Sequence, residues 1–324
     1  MTDFQIVSWN VNGLLDRIKR GAVLQTIKRM GPAIAMIQET HRMGTKCSFL
    51  GRHGYDRIFH AGFSRGSRGV AIMFRRSFPF TVLGSLSDDL GRYVVVWGLL
   101  NGRACSYICI YVPPQLHSST LRDLGKVLLE IPPGTLVIGG DYNALLNREA
   151  DSSLGITTRT PTTDKSFATW ANSLGLCDIW RIWNPQTRQF THTSAAHHTH
   201  SRIDYFLMPA TDVHMTSGSR ILPRGIPDHS PVVLSMRGTE ASNRPMWRLN
   251  AWHIKDEGLV HTLKKEIAQY FQININSVVS SQVLWAAGKA TIRGIAKAYI
   301  RKQERDRTQH IADMEARILG LELR

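Results

Sequence analysis

Residues 135–143 read Thr-Leu-Val-Ile-Gly-Gly-Asp-Tyr-Asn. The apolar run at 135–138 has the pattern of a buried strand. Gly139 and Gly140 are expected to break that strand and to bring backbone close to whatever is bound. A carboxylate, Asp141, and an amide, Asn143, stand two apart, so an extended backbone would point both to one side. An acid that takes or orients a proton, beside an amide that positions an oxygen, suits attack on a phosphate. Alone, the stretch reads first as a strand running into a turn, since Gly, Asp and Asn are ordinary turn residues.

The rest of the chain supplies similar strand ends. Phe4–Trp9 alternates apolar and polar and runs into Asn10-Val11-Asn12-Gly13. A helix is expected over residues 18–30, stopped by Gly31-Pro32, and the apolar run 33–37 then delivers Gln38-Glu39-Thr40. Further strands are read at 69–74, 93–100, 106–112, 189–193, 203–208 and 231–236, and helices at 119–130 and 164–174. Strands with few intervening helices fit packed sheets flanked by helices. Near residue 237 the composition shifts to a polar, breaker-rich stretch that reads as a linker. Beyond Pro245 there is no proline, and helices are expected at 256–271 and 281–321. Residues 301–310 are polar all round, and Ile311, Met314, Ile318 and Leu321 keep a heptad spacing too short for a coiled coil.

Charge narrows the partners. The 324 residues carry a formal net charge of +15. A chain this basic is drawn to polyanions, nucleic acid before anionic membrane. Cys47, Cys105, Cys109 and Cys177 lack zinc spacing and read as reduced, packed thiols. The first residues, Met-Thr-Asp-Phe-Gln, lack the basic and apolar regions expected of a signal peptide, and no apolar run approaches membrane-spanning length.

Polar residues recur where strands end: Asn10, Glu39, Tyr111, Asp141, Asn143, Asp204, Asp228 and His229. Each has an ordinary explanation by itself. A lone Glu at a strand end is usually solvated, Tyr111 could be an edge aromatic, and Asp228-His229-Ser230 could cap a turn. Together they resemble a catalytic site, because loops at strand ends carry such groups. Glu39 would be a hard oxygen ligand for Mg2+, which takes one or two carboxylates and fills its octahedron with water and phosphate. His229 needs an orienting partner, and Asp204 is the candidate.

Six motifs occur in order: Ile6–Gly13, Ile37–Thr40, Ile110–Pro113, Gly140–Asn143, Ser201–Leu207 and Asp228–Ser230. In this the chain resembles the endonuclease/exonuclease/phosphatase superfamily over residues 4–236. Within it, residues 190–204 are similar to the endonucleases of long interspersed, non-LTR retrotransposons. Trp247–Asn250, Leu284-Trp285 and Arg301–Arg305 are similar to the segment that joins endonuclease to reverse transcriptase there. The resemblance implies an α/β fold: a four-layered α/β/β/α sandwich over residues 1–238, with a linker and α-helical extension over 239–324. It also implies that the chain is the N-terminal part of a longer protein.

The activity implied is metal-dependent nicking of duplex DNA, leaving 3′-hydroxyl and 5′-phosphate ends, with the 3′-hydroxyl priming reverse transcription. Asp141, Asn143, His229, Asp204 and Tyr111 would be catalytic. Glu39, Asn10 and Asp228 would hold Mg2+, with Mn2+ as the substitute. Thr191, Ser201 and Arg202 would contact DNA. Element RNA on the helical extension is a further partner implied, and nucleus and cytoplasm are the implied locations. Abasic-site repair enzymes of the superfamily carry an aromatic where this chain has Ser201, so the wall that would hold a flipped sugar is missing. The competing readings are a repair endonuclease, another phosphoesterase of the superfamily, and a nucleic-acid-binding module without chemistry. The His-rich stretch 193–200 is expected to sense DNA shape.

Overall fold

Burial alternates along the first strand, Phe4–Asn10 (β1): Phe4 and Ile6 enter one core, Val7 and Trp9 another. That period of two gives a sheet covered on both faces. The computed structural model describes residues 3–44, 50–51, 54–154, 161–194, 198–238, 249, 251–275 and 281–322. Its strands continue as β2 (Ile34–Gln38), β3 (Tyr55–Ala61), β4 (Val70–Arg75), β5 (Phe80–Ser87), β6 (Tyr93–Leu100) and β7 (Arg103–Tyr111). Then come β8 (Thr135–Asp141), β9 (Leu176–Asp178), β10 (His192–Ser194), β11 (Thr199–Ser201), β12 (Asp204–Pro209), β13 (Thr216–Ile221) and β14 (Val232–Met236). The helices are α1 (Arg17–Met30), α2 (His117–Glu130), α3 (Arg148–Asp151), α4 (Thr162–Ser173), α5 (Ile179–Trp183), α6 (Glu257–Asn274) and α7 (Ser281–Glu322).

Two mixed sheets form the centre, in the orders β13-β14-β1-β2-β4-β3 and β5-β6-β7-β8-β12-β9. Ile6, Met36 and Phe74 of the first pack with Val94, Tyr107 and Phe206 of the second. The outer face of the first sheet is closed by Val23, Leu24 and Ile27 of α1. Leu121 and Leu124 of α2, with Phe167 and Ala171 of α4, close the outer face of the second. The order is therefore helix, sheet, sheet, helices. Asp16 caps the start of α1 by accepting from the Lys19 N–H, and Gly31 at φ +62° ends it by donating to the Ile27 carbonyl.

The glycines of the 135–143 stretch do not break the strand: β8 runs through them to Asp141. Nor do they make room for a ligand. A Cβ on Gly140 would sit 1.9 Å from the Ile110 carbonyl oxygen, and one on Gly139 would meet Phe206 and Met36. They allow close packing of neighbouring strands. Strands β3, β5 and β13 escape the sequence pattern because they are polar or half-exposed. β5 exposes alternate residues at a sheet edge, and β13 carries Thr-Ser-Gly-Ser with a register shift. The strand expected at 189–193 is instead a short hairpin, β10 with β11.

The chain divides into two compact units, residues 1–242 and 243–324. In the second, Leu259 of α6 packs against Ala296 and Ile300 of α7, with Tyr299 alongside. Asp256 caps α6 and accepts from the Tyr299 hydroxyl at 3.2 Å and Gln303 Nε2 at 2.9 Å. Tyr299 thus packs the tail's own helices together. Trp285 is 56% exposed and stacks on Phe271, whereas Trp247 and the side chain of Trp252 lie outside the described residues. No described helix is long and apolar enough to cross a membrane.

Candidate active site

Strand register assembles the site. In the second sheet Tyr111 of β7 and Asp204 of β12 flank Asp141 of β8, so three polar residues stand abreast at the strand ends. In the first sheet Asn10 pairs with Gln38, one residue before Glu39. Asn10 joins the two sheets. Its Nδ2 donates to Glu39 Oε1 at 2.8 Å and to Asp141 Oδ2 at 2.8 Å. Its Oδ1 accepts from the Asn12 N–H at 2.9 Å. The amide therefore holds two carboxylates and turns its oxygen away from both, so Asn10 orients the site rather than offering a metal an oxygen.

Asn143 does not share an extended face with Asp141. At φ +46° it turns back, and its N–H donates to Asp141 Oδ1 at 2.9 Å. Its Nδ2 donates to the Val112 carbonyl at 3.1 Å. Glu39, His41 and Asn12 also have positive φ. Non-glycine residues held there mark a backbone that the surrounding structure has fixed, as happens at functional sites.

His229 Nδ1 lies 2.8 Å from Asp204 Oδ2, and Nε2 lies 4.0 Å from Asp141 Oδ2. Trp9 Nε1 anchors the His229 carbonyl at 2.9 Å. The hydrogen bond to Asp204 orients the ring and leaves Nε2 facing the Asp141 side.

Burial shapes the charges. Asp141, 1% exposed, is pushed up to about 7 by burial and then by the charge of Asp204, against the pull of His229. Burial alone would lower His229, but the charge and hydrogen bond of Asp204, with Asp141 and Asp228, hold it at about 10. Burial would raise Glu39, yet hydrogen bonds from His41 and Asn10 bring it below the usual carboxylate value. Tyr111 is raised well above the ordinary phenol, by burial first and then by Glu39 and Asp141. The site thus holds an imidazolium, an ionised Glu39 and a neutral phenol at neutral pH.

Two of the residues expected to touch DNA are inside the protein. Arg202 is 1% exposed, with its guanidinium on Asp151 at 2.8 and 3.0 Å and on Asp178 at 2.5 Å. It also lies over the Trp180 and Tyr205 rings. This is an internal clamp that fixes the start of β12, so Arg202 is not a DNA contact. Thr191 is also 1% exposed, and its Oγ1 accepts from the Ile203 and Asp204 N–H groups at 3.1 and 3.2 Å. It positions Asp204 from inside the protein. Ser201 is half-buried on β11.

Asp228 stands beside His229 and accepts from Asn12 Nδ2 at 3.2 Å through Oδ2. Sequence reading missed His41, whose Nε2 is 2.9 Å from Glu39 Oε2. It also missed His192, whose ring centroid is 4.6 Å from that of His229. Proximity to Glu39 in sequence could have flagged His41. His192 is adjacent to the singled-out Thr191, but only the fold brings it to His229.

The pattern of the endonuclease/exonuclease/phosphatase family matches residues 7–233. The chain belongs to that family. The family's span takes in residues of every strand of both sheets and every site residue named above. An AP endonuclease from Leishmania major is similar in structure, with a TM-score of 0.62 and 17% identity, over 74% of this chain and 89% of that one. An AP endonuclease from Archaeoglobus fulgidus aligns with a TM-score of 0.57 and 22% identity, over 72% and 99%. A 3′ phosphatase from Neisseria, solved bound to a product DNA hairpin, gives 0.57 and 19%, over 72% and 100%. These likenesses establish the shared fold. A Xenopus laevis protein, an uncharacterized 149 kDa protein of transposon TX1, is 24% identical over 98% of this family member. The chain spans 24% of that relative's length.

The donor set suits a divalent cation. Glu39 offers an ionised carboxylate, 19% exposed at the side chain, and Asp204 Oδ1 is buried without a hydrogen-bond partner. Hard oxygens of this kind fit Mg2+ or Mn2+.

Proposed function

We propose that this chain is a divalent-metal-dependent DNA endonuclease that nicks duplex DNA, leaving 3′-hydroxyl and 5′-phosphate ends. The observation that carries this reading is the continuous hydrogen-bonded chain Glu39–Asn10–Asp141, with His229 and its orienting Asp204 at the far end. Asp141 is a buried carboxylate with a raised proton affinity, suited to orienting an attacking water and taking its proton. Asn143 fixes the Asp141 carboxylate from the backbone. Water oxygen bonds to phosphorus as the bond from phosphorus to the 3′ oxygen breaks, and that oxygen takes a proton from solvent and leaves as the 3′-hydroxyl. His229, an imidazolium at neutral pH, donates from Nε2 to a phosphate oxygen as charge builds there. Tyr111 keeps its phenol proton and offers a second hydrogen bond. Glu39 would hold Mg2+ or Mn2+, which when bound neutralises developing charge on the phosphate. Asn10 keeps Glu39 and Asp141 in fixed relation.

The transposon relative and the net charge of +15 support a further reading: the nick's 3′-hydroxyl primes reverse transcription in a non-LTR retrotransposon. Nucleic acid, including element RNA, is the proposed partner of the helical tail.

The test is nicking of supercoiled plasmid with Mg2+ and with chelator, beside an abasic duplex and a small phosphomonoester. Mg2+-dependent conversion to open circles, with weak action on the other two substrates, is expected. Preference for the abasic duplex would make it a repair endonuclease, and phosphate release without nicking would make it a phosphatase.

A further inference from the structure

Beside the phosphate-cleaving site lies a second group of donors with different chemistry. His192 opens β10, and Asp228 and His229 lie in the loop before β14. One ligand atom from each lies within 4.8 Å of the others. Backbone bonds hold the two segments together. His192 and His229 form an isolated antiparallel bridge, the Ser230 N–H donates to the Thr191 carbonyl at 2.7 Å, and the Thr193 N–H reaches the Asp228 carbonyl at 3.4 Å. The pairing is thus set by the fold before any ion arrives.

The donor atoms are available. Asp228 uses Oδ2 for Asn12, and its Oδ1 is buried with no hydrogen-bond partner. His229 has Nδ1 committed to Asp204 at 2.8 Å, which leaves Nε2 as its ligand atom. A carboxylate on the far nitrogen of a ligating histidine fixes the tautomer and ring orientation and raises ligand basicity. The Asp204–His229 pair already has that form.

We infer that His192, Asp228 and His229 form a second cation site that takes a borderline transition cation of the Zn2+ class. Two imidazoles and one carboxylate, with a remaining position for water, form a donor set zinc accepts. Mg2+ prefers oxygen and dehydrates reluctantly, so excess Mg2+ leaves this pair of imidazoles alone. Zinc on His229 Nε2 occupies the one ring nitrogen that Asp204 leaves open, the nitrogen on the Asp141 side. His229 then has nothing to donate to a phosphate oxygen. Filling the site therefore stops cleavage, a consequence that rests on the function proposed above, whereas the binding does not.

The experiment is calorimetric titration of the full chain with ZnCl2 in excess Mg2+. One zinc equivalent is expected for the wild type. His192→Phe, which keeps a ring, and His192→Asn should each weaken it by at least about the 10–100-fold that outer-shell changes cost. A triple variant, His197→Ala with His198→Ala and His200→Ala, controls for capture by the other histidines of this stretch and should bind as the wild type does. Unchanged affinity in both His192 variants, or loss of binding in the control, would overturn the assignment. In the plasmid assay zinc should inhibit the wild type, and His192→Phe should need at least ~10-fold more zinc for the same inhibition. Equal sensitivity of the two proteins would overturn the inhibitory role. If no protein nicks at all, the proposed function fails while the titration still decides the site.

Discussion

His229 and Arg202 lie two ends of one idea: a buried charge is tolerated where partners are in place. For His229 the partner is Asp204, and the consequence is a pH dependence. Its folded value, about 10, is above the unfolded value of 6.5. The stability this confers is fully present below the unfolded value and is lost as pH rises through about 10. Melting temperature of the metal-free protein should therefore fall between pH 7 and 10, and the same curve should be flatter for His229→Asn. A parallel fall in both proteins would assign the effect elsewhere. Cleavage should lose its alkaline side over the same range, as the imidazolium loses its proton, and Asp204→Asn should move that limb down toward neutral pH. At fixed neutral pH, His229→Ala should cost on the order of 10²–10³ in nicking rate, the usual effect of removing one preorganised donor. For Arg202 the partners are Asp151 and Asp178, both taken from solvent by the fold. Arg202→Ala should cost up to roughly 3–5 kcal/mol in denaturant unfolding, because it takes one of two guanidiniums from Asp151 at 0% exposure and leaves Arg181 alone on it at 2.6 Å. A soluble, fully stable variant with weakened DNA binding would restore the surface role instead.

At the scale of elements, the hairpin of β10 and β11 is a two-stranded sheet separate from the two six-stranded ones. Its base is tied by Thr193 Oγ1 to His200 Nδ1 at 3.0 Å, and His200 stacks on Phe190. His198 near its tip is exposed. The stretch 193–200 has no Arg or Lys for bidentate guanine contacts, so shape is what it can sense. Grafting an unrelated hairpin over 193–200 should move the positions of nicks while the total nicking rate changes little; sequencing the nicked ends measures both. An identical cleavage map would remove the hairpin from site choice. β8 makes the opposite case. Gly140→Ala puts a Cβ 1.9 Å from backbone, which no side-chain rotation relieves, so a loss above the roughly 1–3 kcal/mol typical of overpacking is expected in thermal unfolding.

Over the whole molecule, the two units call for separate tests. Each has its own apolar clusters, and the site residues fall in residues 1–242. Arg301, Lys302, Arg305 and Arg307 are all exposed on α7. If they meet phosphates, each lost contact should reduce the slope of log K against log salt by about 0.9 on duplex DNA. Truncation after residue 242 should flatten that slope and leave Mg2+-dependent nicking in place. Equal slopes for the full and truncated chains would make the tail a connector.

The sequence by itself determined the apolar runs of β1, β2, β4, β6, β7, β8, β12 and β14, since burial on both faces of a sheet demands them. It also marked Asn10, Glu39, Tyr111, Asp141, Asn143, Asp204 and His229 as polar residues where such runs end. Half-exposed β3, β5 and β13 left little trace, because edge and irregular strands need no apolar pattern. Tertiary structure alone decided what the marked residues do to one another. Asn10 reaches Asp141 across 131 positions of chain, and His229 reaches Asp204 across 25. Only register sets Tyr111 and Asp204 beside Asp141, only burial turns Arg202 inward and raises Asp141, and only the neighbouring Asp204 carboxylate holds a proton on His229 against that burial. A side chain's identity is local, but its solvation and its neighbours' charges belong to the folded chain, and those two quantities fix its chemistry.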